Sequence, residues 1–169
     1  RTCEYCTLGV DFADSLNALE CRPLSDCTNG EYQSTPPTIY SDRTCAPCTL
    51  GIDYSDTNNA TSCTPVSSCS IGEFEYTPPS LSADRQCEAC AFGSFSNEIN
   101  VPYCTPWQDC RIGEHILVDG TTTSNRICTE CLLGTNYSTV INASQCTAVT
   151  DCLPGEYEVT QPSTVKDRE

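Results

Sequence analysis

Sixteen cysteines in 169 residues, set at a recurring spacing, constrain this chain more than any other feature. They run C-x2-C-x14-C-x5-C-x17 and then begin again. Cys3, Cys6, Cys21 and Cys27 form the first set, and Cys45, Cys48, Cys63 and Cys69 the second. Cys87, Cys90, Cys104 and Cys110 follow, with one gap a residue shorter, and Cys128, Cys131, Cys146 and Cys152 close the series. The period is 42, 42 and 41 residues. An even count at this density reads as a disulfide framework formed in an oxidising, extracellular setting. Composition agrees: there is no Met, one Trp and four Phe, and the apolar share of 38% includes the cysteines themselves. Structural zinc is the rival reading of the recurring C-x-x-C. However, the second pair of each set is C-x5-C, and the single His is His115. No metal and no cofactor is expected.

Other positions keep the same register. Gly9, Gly51, Gly93 and Gly134 follow the second Cys, and Phe12, Tyr54, Phe95 and Tyr137 come soon after. Gly-Glu-aromatic triplets follow the fourth Cys at 30–32, 72–74 and 155–157, with Gly113-Glu114-His115 in the third copy. Pro36-Pro37, Pro78-Pro79 and Pro162 come next, and Asp119-Gly120 stands in their place in the third copy. Each unit ends Asp42-Arg43, Asp84-Arg85, Asn125-Arg126 or Asp167-Arg168, a turn with an expected local ion pair. Four repeats follow: 1–44, 45–86, 87–127 and 128–169, the last incomplete and continuing beyond the chain. No segment holds helical periodicity, while short alternating stretches predict strands of three or four residues at Glu73–Tyr76 and His115–Val118. The expected fold is small and disulfide-rich: an elongated rod of tandem modules, mostly loop with short antiparallel strands. A unit of this size cannot sustain a core unaided. A bridge closing some 15–20 residues supplies about 3 kcal/mol instead.

Net charge is −15, with Lys166 and seven Arg as the only strong bases. Nucleic acid is excluded as a partner, because nothing neutralises phosphates. The carboxylates are scattered and form no D-x-D-x-D-G calcium loop. No apolar run reaches membrane-spanning length, so this segment is not expected to insert in a membrane. No signal peptide is visible, and the chain starts mid-pattern at Arg1-Thr2-Cys3, which reads as a piece of something longer.

The segment Cys87-Glu88-Ala89-Cys90-Ala91-Phe92-Gly93-Ser94-Phe95 resembles the cysteine-rich modules of tumour necrosis factor receptor-like ectodomains. At the level of cysteine spacing and the Gly and aromatic positions, all four repeats share the resemblance. The family's module normally carries six cysteines and this one carries four. Apolar residues near Leu24, Val66, Trp107 and Val149, and Pro37, Pro79, Gly120 and Pro162, stand where the missing pair would sit. The resemblance implies Cys6–Cys21, Cys27–Cys45, Cys48–Cys63, Cys69–Cys87, Cys90–Cys104, Cys110–Cys128 and Cys131–Cys146. Cys3 and Cys152 are then left over, for partners outside the chain or in another copy. The competing connectivity, Cys3–Cys21 with Cys6–Cys27 in each unit, leaves none over, and spacing alone does not choose between them.

Three sequons occur, at Asn59, Asn136 and Asn142, and each is a candidate for an N-linked glycan. Asn59 and Asn142 lie four residues before the third Cys of their repeats, as do Asn17 and Asn100, which are not sequons. A turn role for this Asn therefore precedes any glycan. No catalytic set exists, since His115 stands alone in an aromatic slot, and no enzyme activity is expected. Two functions remain. The near-identity of the repeats points to a structural segment of an extracellular glycoprotein rod, adhesion protein or surface filament, stacking head to tail on copies of itself. The resemblance implies instead a receptor ectodomain that binds a protein ligand. In that case the odd third repeat, with Trp107, His115 and Asp119-Gly120, is the place to look.

Overall fold

The structure is a computed structural model that describes residues 2–169; Arg1, the first residue of the mid-pattern start, lies outside the described residues. The protein is a small disulfide-rich fold, mostly loop, with no helix among the described residues. Its strands are short and fall in a repeating order. β1 (Asp11–Phe12), β2 (Arg22–Pro23), β3 (Glu31–Thr35) and β4 (Thr44–Pro47) come first. β5 (Asp53–Tyr54), β6 (Thr64–Pro65), β7 (Glu73–Thr77) and β8 (Gln86–Ala89) repeat that order. β9 (Ser94–Phe95), β10 (Thr105–Pro106), β11 (Glu114–Val118), β12 (Ile127–Glu130), β13 (Asn136–Tyr137) and β14 (Thr147–Ala148) complete it. The strands predicted at Glu73–Tyr76 and His115–Val118 are therefore present, each extended by one residue.

The chain divides into two compact units. One comprises the chain up to Ser68 with Glu75–Cys87, and the other comprises Cys69–Phe74 with Glu88–Glu169. In the first unit β1 pairs with β2, β3 with β4 and β5 with β6, all antiparallel. In the second β9 pairs with β10, β11 with β12 and β13 with β14. The hairpins β3–β4 and β11–β12 carry a bulge at the same place. The register steps from Gln33↔Cys45 to Thr35↔Thr44 in one, and from Ile116↔Cys128 to Val118↔Ile127 in the other. A bulge bends the strand and re-aims its side chains.

Sulfur fills the place of a core. The bonds are Cys6–Cys21, Cys27–Cys45, Cys48–Cys63, Cys90–Cys104, Cys110–Cys128 and Cys131–Cys146. Cys69 and Cys87 are disulfide-bonded as well. Cys27, Cys69 and Cys110 are 0% exposed, the deepest residues described. Of the register aromatics, only Phe12 is buried outright. Each of these three cysteines is bonded by the repeat that follows it.

Two devices join the repeats. The first is the repeated Asn. Asn59, Asn100 and Asn142 all hold φ between 55° and 57°, a left-handed conformation that Asn tolerates better than most residues. In that pose the Asn clamps the fourth Cys of the preceding repeat. Cys27 N donates to Asn59 Oδ1, Cys69 N to Asn100 Oδ1 and Cys110 N to Asn142 Oδ1, at 2.8–2.9 Å. Each Asn N–H donates back to the same Cys carbonyl. The second device is a buried Ser just after the register aromatic: Ser55, Ser96 and Ser138. Its carbonyl accepts from Gly30, Gly72 or Gly113 of the repeat before. Its N–H donates to Leu81, Thr122 or Thr164 of its own repeat. The hydroxyls turn inward to the carbonyls of Thr57, Glu98 and Val140. The buried Ser hydroxyls and the N–H groups of the buried cysteines Cys27, Cys69 and Cys110 thereby find partners, as burial demands.

The Asp-Arg dyads differ from expectation. The Asp carboxylate takes the backbone N–H of the neighbouring Arg, not its guanidinium, and its other bonds go to the turn seventeen residues earlier. Asp42 accepts from Ser25 N and Oγ, Asp84 from Ser67 N and Oγ, and Asp167 from Thr150 N and Oγ1. Arg85 pairs with Glu75 across its hairpin instead, at 2.5 Å. A carboxylate offers two good acceptors to donors already held in a turn, and those outcompete a long mobile guanidinium.

Candidate functional site

The third repeat holds the one pair of aromatic rings in contact among the described residues, Phe92 and Trp107. Trp107 occupies the slot of Leu24, Val66 and Val149, and the backbone fixes it in the same way: Trp107 N donates to Gly93 O at 2.8 Å. Its ring lies over Gly120. A Cβ at that position would stand 2.3 Å from Trp107 Cε2, so no side chain fits. Asp119-Gly120 thus replaces the Pro pair to make room for the indole. Trp107 Nε1 donates to Thr121 O at 2.9 Å, which gives the buried edge of the ring its partner.

Two further residues complete the platform. Phe92 packs edge-on to Trp107, ring centres 5.0 Å apart and planes at 72°. It is 92% exposed, one of the most open large apolar residues described. The Arg126 guanidinium lies 5.4 Å from the Trp107 ring centre and donates to Asn142 Oδ1 at 2.7 Å. Asp119 Oδ1 makes an ionic contact with Arg126 Nε at 3.5 Å, without hydrogen-bond geometry. The result is a rigid indole, held from three sides, that supports a protruding phenyl ring. Such a group suits contact with a protein surface, because a pre-ordered aromatic loses little entropy on binding.

The other sequence-derived candidates fall elsewhere. His115 sits on β11, where Tyr32 sits on β3, and its Nδ1 is 3.1 Å from Cys146 Sγ. Cys3 is exposed and unpaired, and Cys152 is half-buried and unpaired. Cys152 lines an open cleft with Gly155, Tyr157 and Arg168. The three sequons differ in chemistry. Asn59 Nδ2 donates to Asp26 and Asn142 Nδ2 to Asp109, both at 2.8 Å. Asn136 instead accepts from Leu132 N at 2.7 Å, the role Asp11 and Asp53 fill in the first two repeats. No described residue bonds to its Nδ2.

Three groupings could resemble metal sites: His115 with Cys131 and Cys146, Asp11 with Cys6 and Cys21, and Asp53 with Cys48 and Cys63. In each, both sulfurs belong to one disulfide, so no thiolate is offered. Electrostatics single out the joint carboxylates. Hydrogen bonds from Ser67 hold Asp84 below the usual carboxylate range, and those from Thr150 do the same for Asp167. The Ser25 hydroxyl lowers Asp42 in the same way.

The joint Ser carries a sequence signal of its own. Ser55, Ser96 and Ser138 share one register position, but Ser is so common in loops that the position did not stand out. The contact between His115 and Cys146 has no sequence signal, since 31 residues separate them.

Comparison with known proteins places a family boundary on this same region. Residues 90–128 match the model of the TNFR/NGFR cysteine-rich region. Among solved structures, the chain is similar to one in the human RANKL/OPG complex, at 20% identity over 90% of this chain and 92% of that one, with a TM-score of 0.38. It is also similar to one in the mouse RANKL–OPG complex, at 19% identity over 80% and 96%, with a TM-score of 0.37. No curated protein sequence matches. The disulfide pattern within the matched segment, Cys90–Cys104 followed by Cys110–Cys128, recurs before it as Cys6–Cys21 followed by Cys27–Cys45. Residues 90–128 thus match a cysteine-rich repeat of the tumour necrosis factor receptor type, and the repeats before it share its disulfide pattern.

Proposed function

We propose that this series of receptor-type cysteine-rich repeats is an extracellular ligand-binding ectodomain, whose protein partner docks on the third repeat. One observation carries the reading: the segment that matches the TNFR/NGFR cysteine-rich region, 90–128, is the segment that departs from its siblings to build an exposed aromatic platform. Identical spacers have no need of Phe92 on Trp107; a binding module does. Binding, not catalysis, is the activity, with borders before Cys45, Cys87 and Cys128 dividing the chain into modules. No helix of the described residues is long and apolar enough to cross a membrane.

The test uses the full oxidised chain, made as a bivalent fusion and probed against arrayed extracellular proteins. A true partner shows saturable binding that weakens about tenfold or more with Phe92→Ala, as for a contact anchor. Binding that ignores Phe92→Ala refutes the platform as the site.

A second reading keeps one specific observation. Cys152 is unpaired beside Thr150, which is bonded to Asp167 as Ser25 is to Asp42 where Cys27 pairs with Cys45. The local setting that carries a fourth-Cys bridge is therefore built around Cys152. Under this reading copies join head to tail through Cys152 and Cys3 into a filament. Electron microscopy of native material, with a non-reducing gel of Cys152→Ser, separates the readings. Filaments lost with that variant favour assembly, and dispersed chains favour the receptor.

A further inference from the structure

We infer that the Cys131–Cys146 disulfide is a modification site for a small monothiol, with His115 as the proton donor that sets it apart from its sibling bridges. A disulfide sulfur carries no hydrogen. The 3.1 Å contact between His115 Nδ1 and Cys146 Sγ is therefore donated by Nδ1–H, and Nε2 faces away from the bond. Backbone pairing holds the residue that carries the ring. Ile116 N donates to Ala143 O at 2.8 Å, and His115 forms a parallel bridge with Ala143.

Two of the three sibling bridges have the opposite chemistry beside them, while Cys90–Cys104 has the uncharged Ser94 in that position and lacks only the imidazole. The Asp11 carboxylate lies within 4.8 Å of both Cys6 and Cys21 Sγ, and that of Asp53 within 4.8 Å of both Cys48 and Cys63 Sγ. A carboxylate there repels an incoming thiolate and disfavours a departing one. In the fourth repeat the corresponding residue is Asn136, which is uncharged and performs the same turn bond to Leu132 N. The aromatic slot that elsewhere holds Tyr32 or Phe74 holds His115. Both changes favour negative charge on Cys146 Sγ. An N–H bond to a thiolate is charge-assisted and stronger than one to a disulfide sulfur, so the open form gains more from His115 than the closed form.

The exchange balances as follows. A thiolate RS⁻ attacks Cys131 Sγ and forms the mixed disulfide Cys131–S–S–R. The Cys131–Cys146 bond breaks, and Cys146 Sγ leaves with the electron pair. Nε2 takes up, through the solvent, the proton lost by RSH as Cys146 Sγ takes the Nδ1 proton, so the ring stays neutral overall. A second monothiol releases RSSR and leaves both cysteines as thiols. Cys131 is 4% exposed, which restricts the attacking group to a small one.

The experiment uses the full oxidised chain in glutathione-type monothiol buffers of graded ratio, trapped by alkylation and mapped peptide by peptide. Cys131 and Cys146 should become alkylated at a thiol-to-disulfide ratio about tenfold lower than Cys48 and Cys63 require. His115→Phe, which restores the sibling aromatic, should erase that lead. Asp53→Asn, which copies Asn136, should move Cys48–Cys63 part of the way towards it. The other bridges, mapped in the same digest, report that each variant has folded. Opening of Cys131–Cys146 no earlier than Cys48–Cys63, or an undiminished lead in a folded His115→Phe chain, overturns the inference. If His115→Phe does not fold, His115→Gln, which keeps an N–H donor in the slot, serves in its place. It should retain part of the lead, and a lead greater than that of the native chain refutes the role of the imidazole.

Discussion

Asn59 and Cys27 are joined twice, 32 residues apart. Cys27 N donates to Asn59 Oδ1, and Asn59 N donates to Cys27 O, both at 2.9 Å. The side chain of one residue and the backbone of the other thus complete a two-bond rung with no strand on either side. Asn59→Ala should destabilise the oxidised chain by about 2–4 kcal/mol. About 1–3 of this comes from the orphaned Cys27 N–H, and the rest from alanine in a left-handed conformation. Asn59→Gly should cost less, because it removes only the acceptor. Urea denaturation of both variants checks the order.

The joint carboxylates predict how the structure loosens in acid. Asp42, Asp84 and Asp167 have pKa values below the ordinary Asp value of about 3.9 when folded. A depressed folded pKa gives stability that is complete above the unfolded value and lost as pH falls through the folded one. The third repeat has Asn125 in this position, which accepts from Gln108 N at 2.8 Å and does not titrate. Below about pH 4, the protection of the amide against exchange, relative to its intrinsic rate at each pH, should fall at Ser25, Ser67 and Thr150 and hold at Gln108. An equal fall at all four sites would count against the assignment.

Gly120 is the position where the indole platform can be broken without touching it. Gly120→Ala places a methyl group where Trp107 already stands and should cost about 1–3 kcal/mol by overpacking. Trp107 is the only Trp in the chain, so its emission reports the displacement directly. A red shift with loss of the Nε1–Thr121 bond is expected. An unchanged spectrum would mean that the ring does not rest on Gly120.

Carbohydrate should separate the three sequons. Asn136 Nδ2 bonds to no described residue, while the same atoms of Asn59 and Asn142 donate to Asp26 and Asp109. Expressed through a eukaryotic secretory pathway, the chain should carry a glycan at Asn136, seen by peptide mass spectrometry. Asn136→Asp, which removes the sequon but keeps the bond from Leu132 N as Asp11 and Asp53 do, should leave the melting temperature within about a degree or two. Asn142→Gln should lower it by several degrees, because it removes the clamp on Cys110.

Cysteine spacing made the repeats and the strand-poor fold legible, because disulfide geometry leaves a short chain few alternatives. The repeated Asn was visible too, since it recurs even where no sequon does. The joints were less legible. Asp42 looked like a partner for Arg43 because the two are adjacent, but the competing donors of Ser25 lie seventeen residues away. His115 read as a packing substitute because only the wrapped chain brings it to Cys146. Of the candidate site, Trp107 and Asp119-Gly120 stood out as departures from the pattern. Phe92 did not, because Leu8 and Leu50 occupy equivalent places and nothing in the sequence announces a stacked ring.

The clamps also impose a direction on biosynthesis. Cys27, Cys69 and Cys110 each have their backbone N–H satisfied by an Asn 31 or 32 residues further on. A chain emerging amino end first cannot finish any repeat until most of the next has left the ribosome. Each newly made repeat acts as the closing tool for the one before it, so maturation advances down the chain like a zip, always one tooth behind synthesis.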